Sequence, residues 1–166
     1  MKRGRRERVR EWNADSLYAY GLRLLTFRTR SEREMRQRFQ LRGASPELID
    51  STLDRLKAGG LIDDQAFAEA WVESRRRSSP RGDRLLQQEL MHKGVARPAI
   101  DTALADEADE MDLARIAAAK KARALAAEPE AVFVRRLTDF LLRRGFGWEV
   151  AAPVVRELWA EREVPS

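Results

Sequence analysis

LQQELMHKG, residues 86–94, has two counterparts elsewhere in the chain: MRQRFQLRG at residues 35–43 and LTDFLLRRG at residues 137–145. In each, an apolar residue is followed by three others, a second apolar residue, two more residues, a basic residue and glycine. The three glycines are spaced by 51 residues each time. A fixed period of this length indicates tandem copies of one structural unit.

Apolar residues recur at helical spacing through almost the whole chain. Ile49, Leu53 and Leu56, for example, are four and three residues apart, which places them on one face of a helix. Strand signals are essentially absent, because the sequence has neither sustained period-two alternation nor an Asn-Gly or Asp-Gly hairpin. We therefore predict an all-α protein with nine helices in three tandem three-helix repeats. Because such repeats contact mainly their neighbours, we expect an elongated, curved array.

Helix start and stop signals set the boundaries of the repeats. Ser31, with Glu34 three residues later, is a capping-box signature. Ser45 is a second candidate N-cap, because Pro46 suits the first position of a helix. Gly43 is placed to end a helix in the left-handed conformation. The predicted segments are a flexible basic arm at residues 1–14 and repeats at residues 15–60, 61–105 and 106–162.

The second repeat opens with the segment LIDDQAFAEAWVESRRR. Asp63 or Asp64 is expected to cap its first helix, since aspartate is a preferred N-cap residue. The same pair could act in acid–base catalysis, but the position directly before a helix favours capping. Helical spacing places Phe67, Ala70 and Trp71 on the inner face, so we predict them to be core residues.

A proline falls within the last predicted helix of the third repeat. Ala151, Val155 and Leu158 match the buried positions of the corresponding helix in the first repeat. Pro153 lies between them and would remove a backbone hydrogen bond and kink the helix. We therefore expect this helix to start late or to bend.

The composition indicates a highly charged protein with an anionic partner. Charged residues make up 36% of the chain and the net charge is +5, which favours association with anions. The absence of cysteine excludes disulfides, thiol catalysis and Cys-based zinc sites. No apolar run approaches the roughly 18 residues of a membrane span, and no apolar segment follows the basic start as in a secretory signal. We expect a cytoplasmic protein with no membrane segment.

Residues that could support catalysis or bind a metal are scarce. His92 is the single histidine, and a histidine near the end of a helix is favourable for electrostatic reasons alone. The chain has no Gly-rich phosphate-binding loop and no dinucleotide fingerprint. One acidic cluster could imitate a cation site, although carboxylates are also common in the first turn of a helix. It consists of Asp106, Glu107, Asp109, Glu110 and Asp112. We predict a binding protein rather than an enzyme, with no metal and no cofactor.

Positive charge is concentrated at the break between the first two helices of the second repeat, in RRRSSPRGDR. Arginines near the end of a helix also complement its dipole, so a structural role is the alternative. Three consecutive arginines exceed what such a role requires. Guanidinium groups bind anions as forks, with marked sensitivity to salt. The predicted anion-contacting patch consists of Arg75, Arg76, Arg77, Arg81 and Arg84.

Two further groups of basic residues are candidates for anion contact. The third helices of the first two repeats are acidic, which argues against a helix-turn-helix that reads the DNA major groove. We expect contact with a nucleic-acid backbone without sequence specificity, or docking onto an acidic protein surface. The secondary basic faces contain Arg33, Arg36, Arg42, Arg135, Arg136, Arg143 and Arg144. The basic arm contains Lys2, Arg3, Arg5, Arg6, Arg8 and Arg10.

Three segments, in this order, resemble the RecX family of bacterial regulators of the RecA recombinase: GGLIDDQAFAEAWVESRRR, RGDRLLQQELMHKGV and FLLRRGFGWEV. The resemblance covers roughly residues 15–160. It implies a protein without catalytic residues that lies in the groove of the RecA–DNA filament and spans neighbouring protomers. It also implies inhibition of filament extension, ATP hydrolysis and strand exchange, and in many members DNA binding. The central family motif falls on Asp63, Asp64, Phe67, Ala68, Trp71, Val72 and Arg75.

Three functions are compatible with the sequence. The first is a regulator of the RecA filament in recombination, DNA repair and the SOS response, as the resemblance implies. The second is a DNA-binding protein without sequence specificity, for single- or double-stranded DNA, that acts by occupying DNA. The third is a helical adaptor for another acidic protein. In each case we expect a monomer.

Overall fold

The computed structural model describes residues 11–105 and 109–162, and these ranges contain nine helices and no strand. The all-α prediction is therefore confirmed for the described residues. The helices are α1 (Ala14–Phe27), α2 (Glu32–Leu41), α3 (Pro46–Ala58), α4 (Asp64–Ser78), α5 (Asp83–His92), α6 (Arg97–Leu104), α7 (Glu110–Ala124), α8 (Glu130–Arg143) and α9 (Trp148–Ala160). None of these helices is both long and apolar enough to cross a bilayer.

The chain divides into two compact units, the first ending at Asp64 and the second beginning at Gln65. In the first unit, α1, α2 and α3 enclose one apolar core. The second unit contains two cores, one among α4, α5 and α6 and one among α7, α8 and α9. Each repeat thus has its own core.

The repeated sequence forms the same local structure three times. Gly43, Gly94 and Gly145 have φ angles of 76°, 81° and 89°, in the left-handed region that favours glycine. At the end of each of the helices that precede these glycines, backbone N–H groups donate hydrogen bonds to the last carbonyls of the helix. Ala44 N, for example, donates to Phe39 O at 3.3 Å, and the same bond is made to the carbonyls of Leu90 and Leu141. This is the Schellman arrangement that satisfies carbonyl groups at a helix end. The predicted left-handed end at Gly43 is confirmed.

The apolar positions of the repeat are fully buried. They lie four residues apart on α2, α5 and α8, and therefore on one face of each helix. Their relative exposure is 0% in every case. The six residues are Met35 and Phe39, Leu86 and Leu90, and Leu137 and Leu141.

Two predicted serine caps are present in the first unit. Ser31 Oγ accepts a hydrogen bond from Glu34 N at 3.2 Å, and Ser45 Oγ accepts one from Leu48 N at 3.3 Å. Pro46 is the first residue of α3. These side chains satisfy N–H groups that have no partner within the helix.

Asp64 lies inside the first turn of α4, and its carboxylate also contacts the start of α2. Asp64 Oδ1 accepts a hydrogen bond from Glu32 N at 2.9 Å. Burial raises the pKa of Asp64, while the hydrogen bond from Glu32 N acts in the opposite direction. The aspartate therefore supports the start of a second helix that is remote in sequence.

The predicted inner face of α4 is partly wrong. Phe67, Ala68 and Val72 are buried, whereas Ala70 is exposed and Trp71 is half-buried. At about 100° per residue, Ala70 falls well outside the arc that contains residues 67, 68, 71 and 72. Trp71 lies at the edge of the core, where an indole N–H can reach a polar partner.

The last helix begins at Trp148, three residues after Gly145, just as α3 begins three residues after Gly43. A late start is therefore wrong, and Pro153 lies inside α9. Proline has no N–H to donate to the carbonyl of Glu149 one turn earlier. A bend at this position stays a prediction.

Candidate anion-binding surface

The five arginines of the predicted patch flank the break between α4 and α5, and each contacts a carboxylate. Arg75 and Arg81 share Glu89, the former through Nε and Oε2 at 3.3 Å. The other pairs are Arg76 with Asp83, Arg77 with Glu73, and Arg84 with Glu149. The patch is therefore a set of ion pairs rather than a row of unpaired cations.

These arginines differ widely in exposure. The side chains of Arg77 and Arg84 are 73% and 70% exposed. Those of Arg75 and Arg81 are 29% and 27% exposed, and that of Arg76 only 12%. Ion pairs between exposed side chains contribute little to stability. Arg77 and Arg84 can therefore exchange their carboxylate partners for an external anion most easily.

Glu89 on α5 is the centre of the half-buried part of this surface. Its Oε2 accepts a hydrogen bond from Trp71 Nε1 at 2.9 Å, in addition to its contacts with Arg75 and Arg81. The guanidinium of Arg75 lies 4.1 Å from the centre of the Trp71 ring, and Lys93 Nζ lies 4.3 Å from it. Cations at such distances are attracted to the aromatic face.

Arg144, assigned to a secondary basic face, joins this group from the third repeat. Its Nη1 donates to Ser79 Oγ at 3.2 Å and to the carbonyl of Pro80 at 3.3 Å. Burial lowers the pKa of Arg81, and the nearby charges of Arg75 and Arg144 lower it further. We call Arg75, Arg81, Arg144 and Glu89 the Glu89 cluster.

Two glycines hold the second and third repeats in close backbone contact. Gly82 N donates to the carbonyl of Arg144 at 2.9 Å. A Cβ atom on Gly82 would lie 2.3 Å from Gly145 O, and one on Gly145 would lie 2.4 Å from Leu85 Cβ. Neither glycine can therefore carry a side chain unless the backbone moves. We call this contact the Gly82–Gly145 junction.

No sequence pattern indicates this junction, because local patterns contain no information about a contact between repeats. The glycine in PRGD is typical of any break between helices. A further contact of this kind joins Asp83 N to Glu110 Oε1 at 3.0 Å. Glu110, predicted within an acidic cluster, thus supports the start of α5.

The remaining candidate residues are distributed over separate surfaces. Arg36 pairs with Asp50 and Glu32, Arg136 pairs with Glu128, and Arg42 lies 5.3 Å from the centre of the Tyr20 ring. Arg33, Arg135, Arg143 and His92 are exposed. The six basic residues of the arm, together with Asp106 and Glu107, lie outside the described residues.

Asp109 caps α7, because its Oδ1 accepts a hydrogen bond from Met111 N at 2.9 Å. Within residues 11–105 and 109–162, no group of three or more His, Cys, Asp or Glu residues could hold a metal ion.

Family models of the three RecX three-helix domains match this chain in order. The first domain matches residues 18–56, the second residues 63–104 and the third residues 108–155. The chain belongs to the RecX family. The regulatory protein RecX of Mycobacterium avium (strain 104) is 42% identical over 146 residues, covering 86% of this chain and 84% of the relative. That of Chlorobium limicola is 38% identical over 141 residues, covering 85% and 88%.

Two solved RecX structures share the fold. A crystal structure of regulatory protein RecX matches with a TM-score of 0.79 at 24% identity, covering 87% of this chain and 73% of the other. RecX from Lactobacillus salivarius matches with a TM-score of 0.78 at 20% identity, covering 87% and 96%. At this level of identity the comparison concerns the fold alone. The RecX family is a family of regulatory proteins rather than of enzymes.

Proposed function

We propose that this protein binds the RecA–DNA filament and inhibits RecA, thereby regulating recombination, DNA repair and the SOS response. The activities affected are ATP hydrolysis, filament extension and strand exchange. The observation that carries this proposal is the match of all three RecX domains in tandem, together with relatives named regulatory protein RecX over most of their length.

The presence of three repeats in one chain supports binding at several points. A filament presents many identical subunits, and three repeats offer one chain several contacts to such a lattice. Linked contacts raise overall affinity even when each one is weak. We propose that the protein acts as a monomer in the cytoplasm and uses no cofactor.

We propose Arg77 and Arg84 as the most accessible contacts for the filament, and the Glu89 cluster as a fixed contact beside them. Arg33, Arg135 and Arg143, which are also exposed, are secondary candidates. Arginine is well suited to this role, because its planar group binds carboxylates and phosphates through paired hydrogen bonds.

The second candidate function is DNA binding without sequence specificity. It is favoured by the six basic residues against a single acid, Glu7, in residues 1–10. Such a segment binds phosphates by charge and releases counterions, independently of base sequence. In this case the protein would inhibit RecA by covering DNA.

One experiment separates the two functions. ATP hydrolysis by RecA on single-stranded DNA is titrated with this protein and repeated with DNA in large excess. We expect inhibition at fewer than one molecule per RecA that persists in excess DNA. If excess DNA abolishes the inhibition, competition for DNA explains it and the proposal of direct action on the filament is wrong.

A further inference from the structure

The Gly82–Gly145 junction brings together charges that are far apart in the sequence. Arg144 reaches the carbonyl of Pro80, the residue immediately before Arg81. Arg75 on α4 contacts the carboxylate of Glu89, which Arg81 also contacts. Arg144 lies close enough to Arg81 for their charges to interact. The Glu89 cluster therefore contains three cations and one carboxylate and has a net positive charge.

We infer that the Gly82–Gly145 junction assembles a carboxylate-binding site from Arg81 and Arg144, and that its ligand is an acidic side chain on the partner protein. The inference rests on the proposed function, because it assigns a contact on this chain to the filament. The site exists only while the second and third repeats are docked, since each repeat contributes one of the two arginines.

The arginines of this site are held in place before any ligand arrives. Arg81 contacts Glu89, and Arg144 donates to Ser79 and Pro80. Glu89 is itself fixed by the hydrogen bond from Trp71. Side chains that are already ordered lose less conformational entropy on binding, which raises affinity and selectivity.

The surroundings favour a single carboxylate over a nucleic-acid strand. Asp83 and Glu149, which pair with Arg76 and Arg84, lie at the start of α5 and α9 beside the junction. A strand of phosphates crossing this surface would meet these carboxylates, and like charges repel. One acidic side chain needs only the two guanidinium groups, which bind a carboxylate through paired hydrogen bonds.

Two variants test the inference, each with a matched control. Gly145→Ala opens the junction without removing a charge, because a Cβ atom there would overlap Leu85. Gly43→Ala introduces the same left-handed strain, with φ of 76°, but its Cβ would meet nothing within 4 Å. Arg144→Gln removes one arginine of the site, and Arg156→Gln removes the same charge from an exposed position on α9 of the same repeat.

The readouts are inhibition of RecA ATP hydrolysis on single-stranded DNA and affinity for a fluorescent dT oligonucleotide. Circular dichroism melting confirms that each variant is folded. We expect Gly145→Ala and Arg144→Gln to raise the concentration for half-inhibition about tenfold, as for the loss of a well-formed charge pair. Both control variants should stay within about twofold of the parent, and oligonucleotide affinity should change little in all four.

If Gly145→Ala fails to fold, the comparison of Arg144→Gln with Arg156→Gln decides the question alone. Parent-like inhibition by the Arg144 variant would overturn the inference while leaving the proposed function intact. An equal loss of oligonucleotide affinity would show that the ligand is a phosphate, which also overturns it. Failure of the parent protein to inhibit RecA would instead overturn the proposed function, and with it the partner that this site requires.

Discussion

Arg76 and Arg77 are neighbours in the sequence but have different surroundings. The side chain of Arg76 is 12% exposed beside Asp83, whereas that of Arg77 is 73% exposed and pairs with Glu73 one turn earlier on the same helix. A basic run in a sequence therefore contains structural and accessible residues side by side. Replacing the whole run at once would mix a loss of stability with a loss of binding.

We expect Arg76→Ala to lower the free energy of unfolding by about 1–3 kcal/mol, because the partly buried Asp83 loses its cationic partner. Arg77→Ala should change it by less than about 0.5 kcal/mol, since the residue is exposed. Urea denaturation of both variants measures the difference. Equal effects would contradict the distinction between the two sites.

The carboxylate of Asp64 makes the stability of the first unit dependent on pH. Because burial raises the pKa of Asp64, the folded protein binds this proton more tightly than the unfolded chain does. The contribution of Asp64 to stability is thus greatest below the ordinary pKa of 3.8 and is lost as pH rises through the raised value. Asparagine at this position keeps an oxygen for Glu32 N and does not titrate.

We therefore expect the free energy of unfolding of Asp64→Asn, relative to the parent, to increase as the pH rises from about 3.5 to 7. Urea denaturation at several pH values measures this difference. A difference that stays constant, or that decreases as the pH rises, would show that the carboxyl is not stabilised in its protonated form.

At the scale of helices, Pro153 is unfavourable for the helix that contains it, because proline inside a helix removes a backbone hydrogen bond. Ala151, Val154 and Val155 around it are buried, so packing holds α9 together despite the lost backbone hydrogen bond. Tertiary contacts commonly override local propensity in this way. The side chain of Pro153 itself is only partly buried.

We expect Pro153→Ala to raise the free energy of unfolding by about 2 kcal/mol, since alanine restores the hydrogen bond to Glu149 O. Pro46→Ala is the matched control, because Pro46 occupies the first position of α3, where proline is favourable. That variant should be neutral or slightly destabilised. Destabilisation by Pro153→Ala would mean that the ring makes packing contacts worth more than the hydrogen bond.

Helices and their ends were predictable because their signals are local. Gly43, Ser31 and Ser45 act within four residues of their own position, so sequence spacing is enough to assign them. The features that were predicted wrongly or not at all depend on contacts between helices. The exposure of Ala70 depends on which arc of α4 meets the core, and the partner of Arg144 lies in another repeat. Local spacing contains no information about either contact.

For the whole molecule, the positive charge is distributed unevenly. Residues 1–10 contain six basic residues and one acid, a formal charge of +5 that equals the net charge of the entire chain. Residues 11–166 therefore have no net charge. This agrees with the described arginines of the predicted patch, each of which contacts a carboxylate. We therefore propose that any long-range attraction to DNA comes mainly from the first ten residues.

Deletion of residues 2–10 should strongly weaken binding to a dT oligonucleotide while leaving inhibition of RecA measurable in excess DNA. Up to six phosphate contacts would be lost, so the slope of log K against log salt concentration should become shallower by as much as about 4. A full-length variant with all six basic residues changed to glutamine controls for chain length and should behave in the same way. An unchanged slope in both variants would mean that paired arginines elsewhere release their carboxylates to bind DNA. Loss of both activities together would instead indicate that the protein inhibits RecA by occupying DNA.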